Sequence, residues 1–278
     1  ALNSNFDVIV VGGGAAGFFA AVNIKQALAK ANVLILEKTA KLLTKVLVSG
    51  GGRCNITHNA ASQASLSKAY PRGKPFLKKA FNQFWVPDLI EWFNQQGVEL
   101  KIEEDGRMFP SSNESTTIVN CFLDLAQDLG VEVNCGEALI RIDKKMDFFV
   151  LETSKATYLP KYVVMATGGH SKLGHLDYLS SLKLQLQTPC PSLFTFNLPK
   201  HSICQLPGLS VENAKVSIPG LRENWQAPLL ITHWGMSGPA ILVLSSICAK
   251  QLAELNYQFT FMVDWLPSTS REELVLHD

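Results

Sequence analysis

Asp7-Val8-Ile9-Val10-Val11, Gly12-Gly13-Gly14-Ala15-Ala16-Gly17 and the apolar pattern behind them constrain this chain more than any other feature. The first run is short and almost wholly apolar, as a parallel strand buried on both faces must be. A glycine turn follows, then a helical spacing of apolar residues through Phe18, Ala21, Val22, Ile24, Ala27 and Leu28. A second buried strand, Val33-Leu34-Ile35-Leu36, ends at Glu37, so Asp7 to Glu37 is the 31-residue length of one strand–helix–strand unit.

The glycines fall at the positions a dinucleotide fingerprint needs. Gly12 permits the tight turn, Gly14 lets backbone approach a pyrophosphate, and Gly17 allows the helix to pack on the strand. Free amides and the macrodipole at the helix start, around Gly13, Ala15 and Ala16, favour phosphate there. Glu37 lies 20 residues past Gly17, where a carboxylate accepts ribose hydroxyls and repels a 2′-phosphate.

Three later clusters join this one. Ser49-Gly50-Gly51-Gly52-Arg53-Cys54-Asn55 puts three glycines in a row, which suits a loop where backbone meets a ligand. Arg53 would supply charge there, Asn55 would orient hydrogen bonds, and Cys54 beside Arg53 is either a lowered-pKa thiol or, as free cysteines more often are, inert packing. Ala166-Thr167-Gly168-Gly169 follows a buried strand, at the sheet edge where α/β folds bind ligands. In Thr232-His233-Trp234-Gly235-Met236-Ser237-Gly238-Pro239, Ser237 or Gly238 can cap a helix that starts at Pro239. Pro239 also breaks the match to a nucleophile elbow. His233 reads more readily as an oriented structural histidine than as a catalytic one.

The remaining sequence sets the organisation. Residues 60–130 look mainly helical, with Trp85, Trp92 and Phe93 on apolar faces and an interruption at Gly106-Arg107-Met108-Phe109-Pro110. Strands are expected at about 131–142, 147–152 and 161–166. Beyond residue 188 prolines multiply and short alternating runs such as Leu193-Phe194-Thr195-Phe196 begin. The expected architecture is α/β, with a three-layer, parallel-sheet Rossmann-like domain over residues 1–188 and a β-rich, barrel-like insert domain over 189–278. Overlapping capping boxes in Thr269-Ser270-Arg271-Glu272-Glu273 announce a further helix and set the expectation of more sequence beyond Asp278.

Composition excludes several classes. Lys+Arg 25 against Asp+Glu 24 gives a net charge of +1, without the basic surplus of a dedicated nucleic-acid binder. The 47% hydrophobic content is ordinary for a folded chain. The six cysteines form no C-x-x-C pair, which argues against zinc and disulfide frameworks and for a reducing, cytoplasmic setting. Histidines show no metal-ligand spacing, so no metal is expected. The longest apolar run, Pro239 to Ala249, is too short to span a membrane, and the first residues lack a signal-peptide pattern.

Taken in order, these clusters resemble the BaiN-like or aminoacetone-oxidase-like family of bacterial FAD-binding proteins. The resemblance rests on Asp7 to Gly17, Lys45 to Thr57, Gly106 to Pro110, Ala166 to Gly169 and Thr232 to Pro239, and S-G-G-G-R-C-N-I-T is its most specific part. It implies non-covalent FAD in a flavoprotein of the two-dinucleotide-binding type. Gly12 to Gly17 would hold the pyrophosphate and Glu37 the adenosine ribose, with Lys38 also at the cofactor. Ser49, Gly51, Gly52, Arg53, Cys54 and Asn55 would wrap toward the flavin, with Lys45 nearby. Backbone around Leu139 would touch adenine, and Ala166, Thr167, Gly168 and Gly169 would approach the cofactor. Family members return to the FAD domain with a glycine-rich segment that closes over the flavin, and no such segment occurs here. Leu173-Gly174-His175-Leu176 also replaces a threonine- and glycine-containing turn.

The implied activity is an FAD-dependent oxidoreductase acting on an unidentified small-molecule substrate, with NADH or NADPH as a candidate reductant. A non-catalytic FAD- or nucleotide-binding protein is the alternative. An NAD-dependent dehydrogenase is the weaker third, because the 49–55 loop and the 166–169 strand end suit an extended FAD better. No residue stands out as general acid or base.

Overall fold

The computed structural model describes residues 2–3 and 5–269, so the helix start expected at Ser270 to Glu273 lies outside the described residues. Two compact units divide the chain: Ala1–Ala69 with Lys74–Thr188, and Tyr70–Gly73 with Pro189–Asp278.

The first unit opens with β1 (Leu2–Asn3) and β2 (Val8–Val11), turns through the glycines into α1 (Ala15–Ala27), and returns as β3 (Val33–Glu37). All of β2 is buried, and so is β3 up to Glu37. Behind α1 the Lys25 ammonium donates to the Ala29 and Ala31 carbonyls at 2.9 and 3.1 Å, satisfying backbone acceptors where the helix stops. Next come α2 (Thr44–Val48), β4 (Thr57–His58), α3 (Gln63–Lys68), α4 (Lys74–Phe81) and α5 (Val86–Gln95). They lead into β5 (Leu100–Ile102), β6 (Arg107–Pro110) and α6 (Ser115–Asp128).

The expected interruption at Gly106 to Pro110 is thus a strand, paired antiparallel with both β4 and β5. Asp105-Gly106 makes the reversal, with Gly106 at φ +82, a dipeptide that favours hairpin turns. The stretch closes with β7 (Glu132–Cys135), β8 (Leu139–Lys144), β9 (Phe149–Thr153), β10 (Thr157–Tyr158), β11 (Tyr162–Met165) and a 3₁₀ segment, Leu173–Leu182. The single strand expected at about 131–142 is two. Gly136, at φ +64, breaks it, and the halves belong to different sheets.

The central sheet has the order β11-β2-β3-β7 and every pair in it is parallel. Alternation along its strands feeds two cores. Val8, Val10, Val33 and Ile35 face Phe18 and Val22 of α1, Trp92 of α5 and Phe122 of α6. Ile9, Val11, Leu34 and Leu36 face Ile142, Leu151 and Tyr158 of the second sheet, β1-β10-β9-β8. Each such aliphatic or aromatic side chain contributes about 1.5–3 kcal/mol when fully buried. The unit is Rossmann-like and three-layered as the sequence predicts, with a mixed sheet, antiparallel except for its β1–β10 pair, as the third layer in place of helices.

The second unit is built on β12 (Phe196–Asn197), β13 (Ser210–Ser217), β14 (Asn224–Thr232), β15 (Gly235–Ser237), α7 (Pro239–Ile247), α8 (Ala249–Glu254) and β16 (Met262–Asp264). Its antiparallel sheet runs β12-β15-β14-β13-β16. Of the alternating run Leu193 to Phe196, only Phe196 lies in a strand. Phe196 meets Phe259 and Phe261 at ring centroid distances of 4.9 and 5.0 Å, which brings the segment before β16 back to β12. Gly238 is the N-cap of α7 and Pro239 its first residue. Ile241 and Leu244 of α7 fill the core with Val216, Leu229 and Ile231. His233 is exposed in the turn between β14 and β15.

Candidate functional site

Because β2, β3, β7 and β11 are parallel and in register, the segments leaving their carboxyl ends meet at one edge of the sheet. A cleft of about 540 Å³ lies there. Val11 and Gly12 at the end of β2, Leu36, Glu37 and Lys38 at the end of β3, and Glu137, Ala138 and Leu139 after β7 line it. So do Thr167, Gly169, His170, Ser171, His175 and Tyr178 after β11.

The fingerprint glycines divide into two kinds. Gly12 has φ +116, and a Cβ on it would stand 2.3 Å from the Ala166 carbonyl oxygen. A Cβ on Gly17 would stand 1.9 Å from the Gly12 carbonyl oxygen. Both glycines are therefore demanded by the protein's own backbone. Gly14 is different, because a Cβ there would meet nothing within 4 Å. Gly14 caps α1 without a side-chain bond, and no acidic residue stands in the first turn. Ala15 and Ala16 are exposed, so the first amides of α1 are open to an anion.

Glu37 is firmly held. One carboxylate oxygen accepts the Gly13 amide at 2.8 Å, and the other accepts the Thr39 amide at 2.8 Å and hydroxyl at 2.9 Å. Burial pushes its pKa up, but these three bonds outweigh it and leave the carboxyl below its ordinary value. The Gly13 amide is thus engaged within the protein, while the carboxylate, fixed at the cleft wall, keeps lone pairs for a further donor.

The second glycine loop folds back on itself. Gly50, Gly51 and Gly52 all have positive φ, and the Ser49 carbonyl accepts the amides of Gly52 and Cys54 at 3.1 and 3.0 Å. The Leu43 amide bonds to the Gly13 carbonyl at 2.9 Å, which ties the start of α2 to the fingerprint. Ser49, Gly51, Gly52, Arg53, Cys54 and Asn55 are not among the residues lining the cleft. Lys45 reaches nearer, its ammonium 3.8 Å from where a Cβ on Gly168 would stand.

Arg53 is already paired, and the lowered-pKa reading of Cys54 does not hold. Arg53 pairs with Glu103 at 2.5 Å and stacks 4.1 Å over the Phe109 ring, so its charge is already countered within the protein. Burial raises the Cys54 thiol pKa, against a smaller lowering by Ser49. A buried thiol loses more hydration as thiolate than the adjacent arginine, facing Glu103, restores.

Residues 6–185 match the HI0933-like protein Rossmann domain, and residues 190–277 match the HI0933-like protein barrel and H2TH domain. The chain belongs to the HI0933-like family. A ribosomal RNA dihydrouridine synthase from Escherichia coli (strain K12) is 29% identical over 252 residues, 87% of this chain and 60% of that protein. A 3-dehydro-bile acid delta(4,6)-reductase from Clostridium scindens is 24% identical over 274 residues, 95% of this chain and 66% of the relative. The chain spans 60–66% of the length of these two relatives. Among solved structures, a bacillithiol disulfide reductase from Staphylococcus aureus is similar over 59% of this chain and 39% of its own, at 20% identity and a TM-score of 0.33.

Of the residues expected at a family cofactor site, the cleft brings together Gly12, Glu37, Lys38, Leu139, Thr167 and Gly169. Ala166 serves as the backbone against which Gly12 packs. Sequence reasoning missed Glu137, His170, Ser171, His175 and Tyr178. Glu137 is only 2% exposed, and its carboxylate takes the Thr153 hydroxyl at 2.6 Å, the Tyr158 hydroxyl at 3.0 Å and the Asn134 amide at 3.3 Å. A lone acid beside the strand-breaking Gly136 was the available signal. Among the described residues no cluster of His, Cys, Asp or Glu is arranged to hold a metal, and no helix is long and apolar enough to cross a membrane.

Proposed function

We propose that the first unit binds FAD in an extended form along the carboxyl edge of its parallel sheet and that the protein is an FAD-dependent oxidoreductase. The observation that carries this reading is the convergence of Gly12, Glu37, Leu139 and Thr167 on one cleft, beside the uncapped amino end of α1. The residues suit the group. Open space at Gly14 admits a pyrophosphate, and the fixed Glu37 carboxylate accepts ribose hydroxyls. The backbone at Ala138 and Leu139 borders the adenine.

FAD, when bound, supplies hydride or electron transfer. The chain's contribution is to hold and orient it. The amides of Ala15 and Ala16 donate to phosphate oxygens, and Lys38, Lys45 and the backbone of Gly168 and Gly169 border its path. Ser49, Gly51, Gly52, Arg53, Cys54 and Asn55 would face the flavin end, a reading supported by the Leu43–Gly13 bond that ties the start of α2 to the fingerprint. The Clostridium scindens relative is named a reductase, and the direction proposed here is likewise reduction, with NADH or NADPH as the electron source. Free thiols at all six cysteines suit a reducing cytoplasm.

The alternative, in which the cofactor serves as structure or sensor, draws on Arg53, whose pairing with Glu103 removes the first candidate for a cation beside the flavin. Anaerobic addition of NADH, then NADPH, to the FAD-loaded protein separates the two. Bleaching of the flavin band supports the oxidoreductase. A band unchanged by both nicotinamides counts against reduction by them and favours the non-catalytic role.

A further inference from the structure

We propose that Thr167, His170 and Tyr178 form a hydrogen-bond-donating cluster that grips the diphosphate of the bound dinucleotide, opposite the start of α1. This inference rests on the dinucleotide reading of the cleft and adds to it a set of residues from a stretch where the chain departs from the family pattern.

The three side chains make a closed polar triangle. The Thr167 hydroxyl oxygen lies 3.0 Å from His170 Nε2 and 3.2 Å from the Tyr178 hydroxyl, and the Tyr178 hydroxyl lies 3.5 Å from His170 Nε2. All three line the cleft. The segment carrying Tyr178 is anchored from behind, where the Ser181 hydroxyl donates to the Ile142 carbonyl and Leu179 and Leu182 pack on the second core.

The walls of the cleft differ in charge. The lining residues from Leu36 to Leu139 include two carboxylates, Glu37 and the inward-turned Glu137, and one ammonium, Lys38, whereas those from Thr167 to Tyr178 include no carboxylate and two imidazoles. An anionic ligand group is favoured on the second side, where no carboxylate opposes it.

Proton counting identifies what the triangle can offer. Thr167 and Tyr178 have one hydroxyl proton each, and His170 Nε2 is either a donor or an acceptor. If Nε2 accepts, Thr167 donates to it and Tyr178 donates to Thr167, so both hydroxyl protons stay inside the triangle. If Nε2 carries the proton and donates to Thr167, one hydroxyl proton is released and turns into the cleft. A diphosphate only accepts hydrogen bonds, and only the second arrangement offers it a proton while keeping both the Thr167–His170 and Thr167–Tyr178 bonds, so its binding favours that arrangement and the proton of His170 on Nε2.

The test uses the full chain with ADP, adenosine and FAD as probes, comparing wild type with Tyr178→Phe and His170→Asn after both variants pass a melting check. Removing a hydrogen bond to a charged group should weaken ADP and FAD about tenfold or more while adenosine, which lacks phosphate, changes less than about twofold. The double variant should lose less than the product of the two single losses, because either change breaks the same triangle. Ring-nitrogen NMR of His170, assigned by its loss in His170→Asn, should move toward the Nε2-protonated tautomer when ADP is added and stay put with adenosine.

Unchanged ADP affinity in both variants overturns the proposal and leaves the dinucleotide reading standing. Equal weakening of ADP and adenosine also overturns it, as a general disturbance of the cleft. If wild type binds neither FAD nor ADP, the reading of the cleft falls and this inference with it. Should Tyr178→Phe fail the melting check, His170→Asn and the tautomer shift decide alone.

Discussion

At the scale of single residues, two fingerprint glycines that look equivalent have different physical causes. Gly12→Ala forces a methyl to within 2.3 Å of the Ala166 carbonyl at φ +116, so it should destabilise the fold by about 3 kcal/mol or more. Gly14→Val meets open space and sits at an N-cap, where it should cost about 1 kcal/mol yet abolish FAD binding by filling the phosphate approach. Melting curves and FAD titrations of both variants check the pair. Equal stability losses would contradict the assignment of Gly12 to backbone packing and Gly14 to ligand.

Glu37 gives a second test at this scale. Its carboxyl titrates below the ordinary value of 4.5 because the Gly13 and Thr39 bonds outweigh burial. A lowered folded pKa adds stability that is present above the unfolded pKa and lost as pH falls through the folded one. Urea midpoints of wild type and Glu37→Gln should therefore differ most at neutral pH and converge as the pH drops below about 4.5. A gap that does not close in acid would show that the three bonds leave the carboxyl unshifted.

Among the elements, the turn between β7 and β8 is where the sequence was least legible. Gly136 ends β7, and the next residue, Glu137, turns its carboxylate inward to Thr153, Tyr158 and Asn134. Its amide bonds to the Glu37 carbonyl at 2.9 Å. One side chain thus joins the parallel sheet to the mixed one and sets the backbone of Ala138 and Leu139 at the cleft. Glu137→Ala leaves the Tyr158 hydroxyl and the Asn134 amide without that acceptor and should cost about 3 kcal/mol. It should also weaken adenosine binding, measured by calorimetry, whereas full retention of stability would mean that the buried network contributes nothing.

The parallel strands and α1 were readable because their apolar runs and glycine spacing are local. Three features were not. The β4-β6-β5 sheet hides in short segments whose pairing depends on distant partners, with Asp105-Gly106 as its only local mark. Arg53 reads as a free cation until folding places Glu103 and Phe109 beside it. The imidazoles at His170 and His175 carry no spacing signal, because the bend after β11 alone brings them to the cleft.

For the whole molecule, the family assignment covers nearly all of the chain, 6–185 and 190–277, and was foreshadowed by glycine clusters whose order no single motif fixes. The expected α/β class with a β-rich second part agrees with the observed sheets. The site is legible where a residue sits at a fixed offset from a glycine cluster or in a family motif. Gly12, Glu37, Lys38, Leu139, Thr167 and Gly169 were named from spacing or resemblance, while Glu137, His170, Ser171, His175 and Tyr178, which line the same cleft, needed the fold. The central claim is that this cleft holds FAD, and a visible absorption spectrum of the purified chain, incubated with FAD and passed through gel filtration, tests it most directly. A flavin band that travels with wild type and is absent from Gly14→Val is the predicted result; a wild-type chain that emerges without a flavin band would contradict the account.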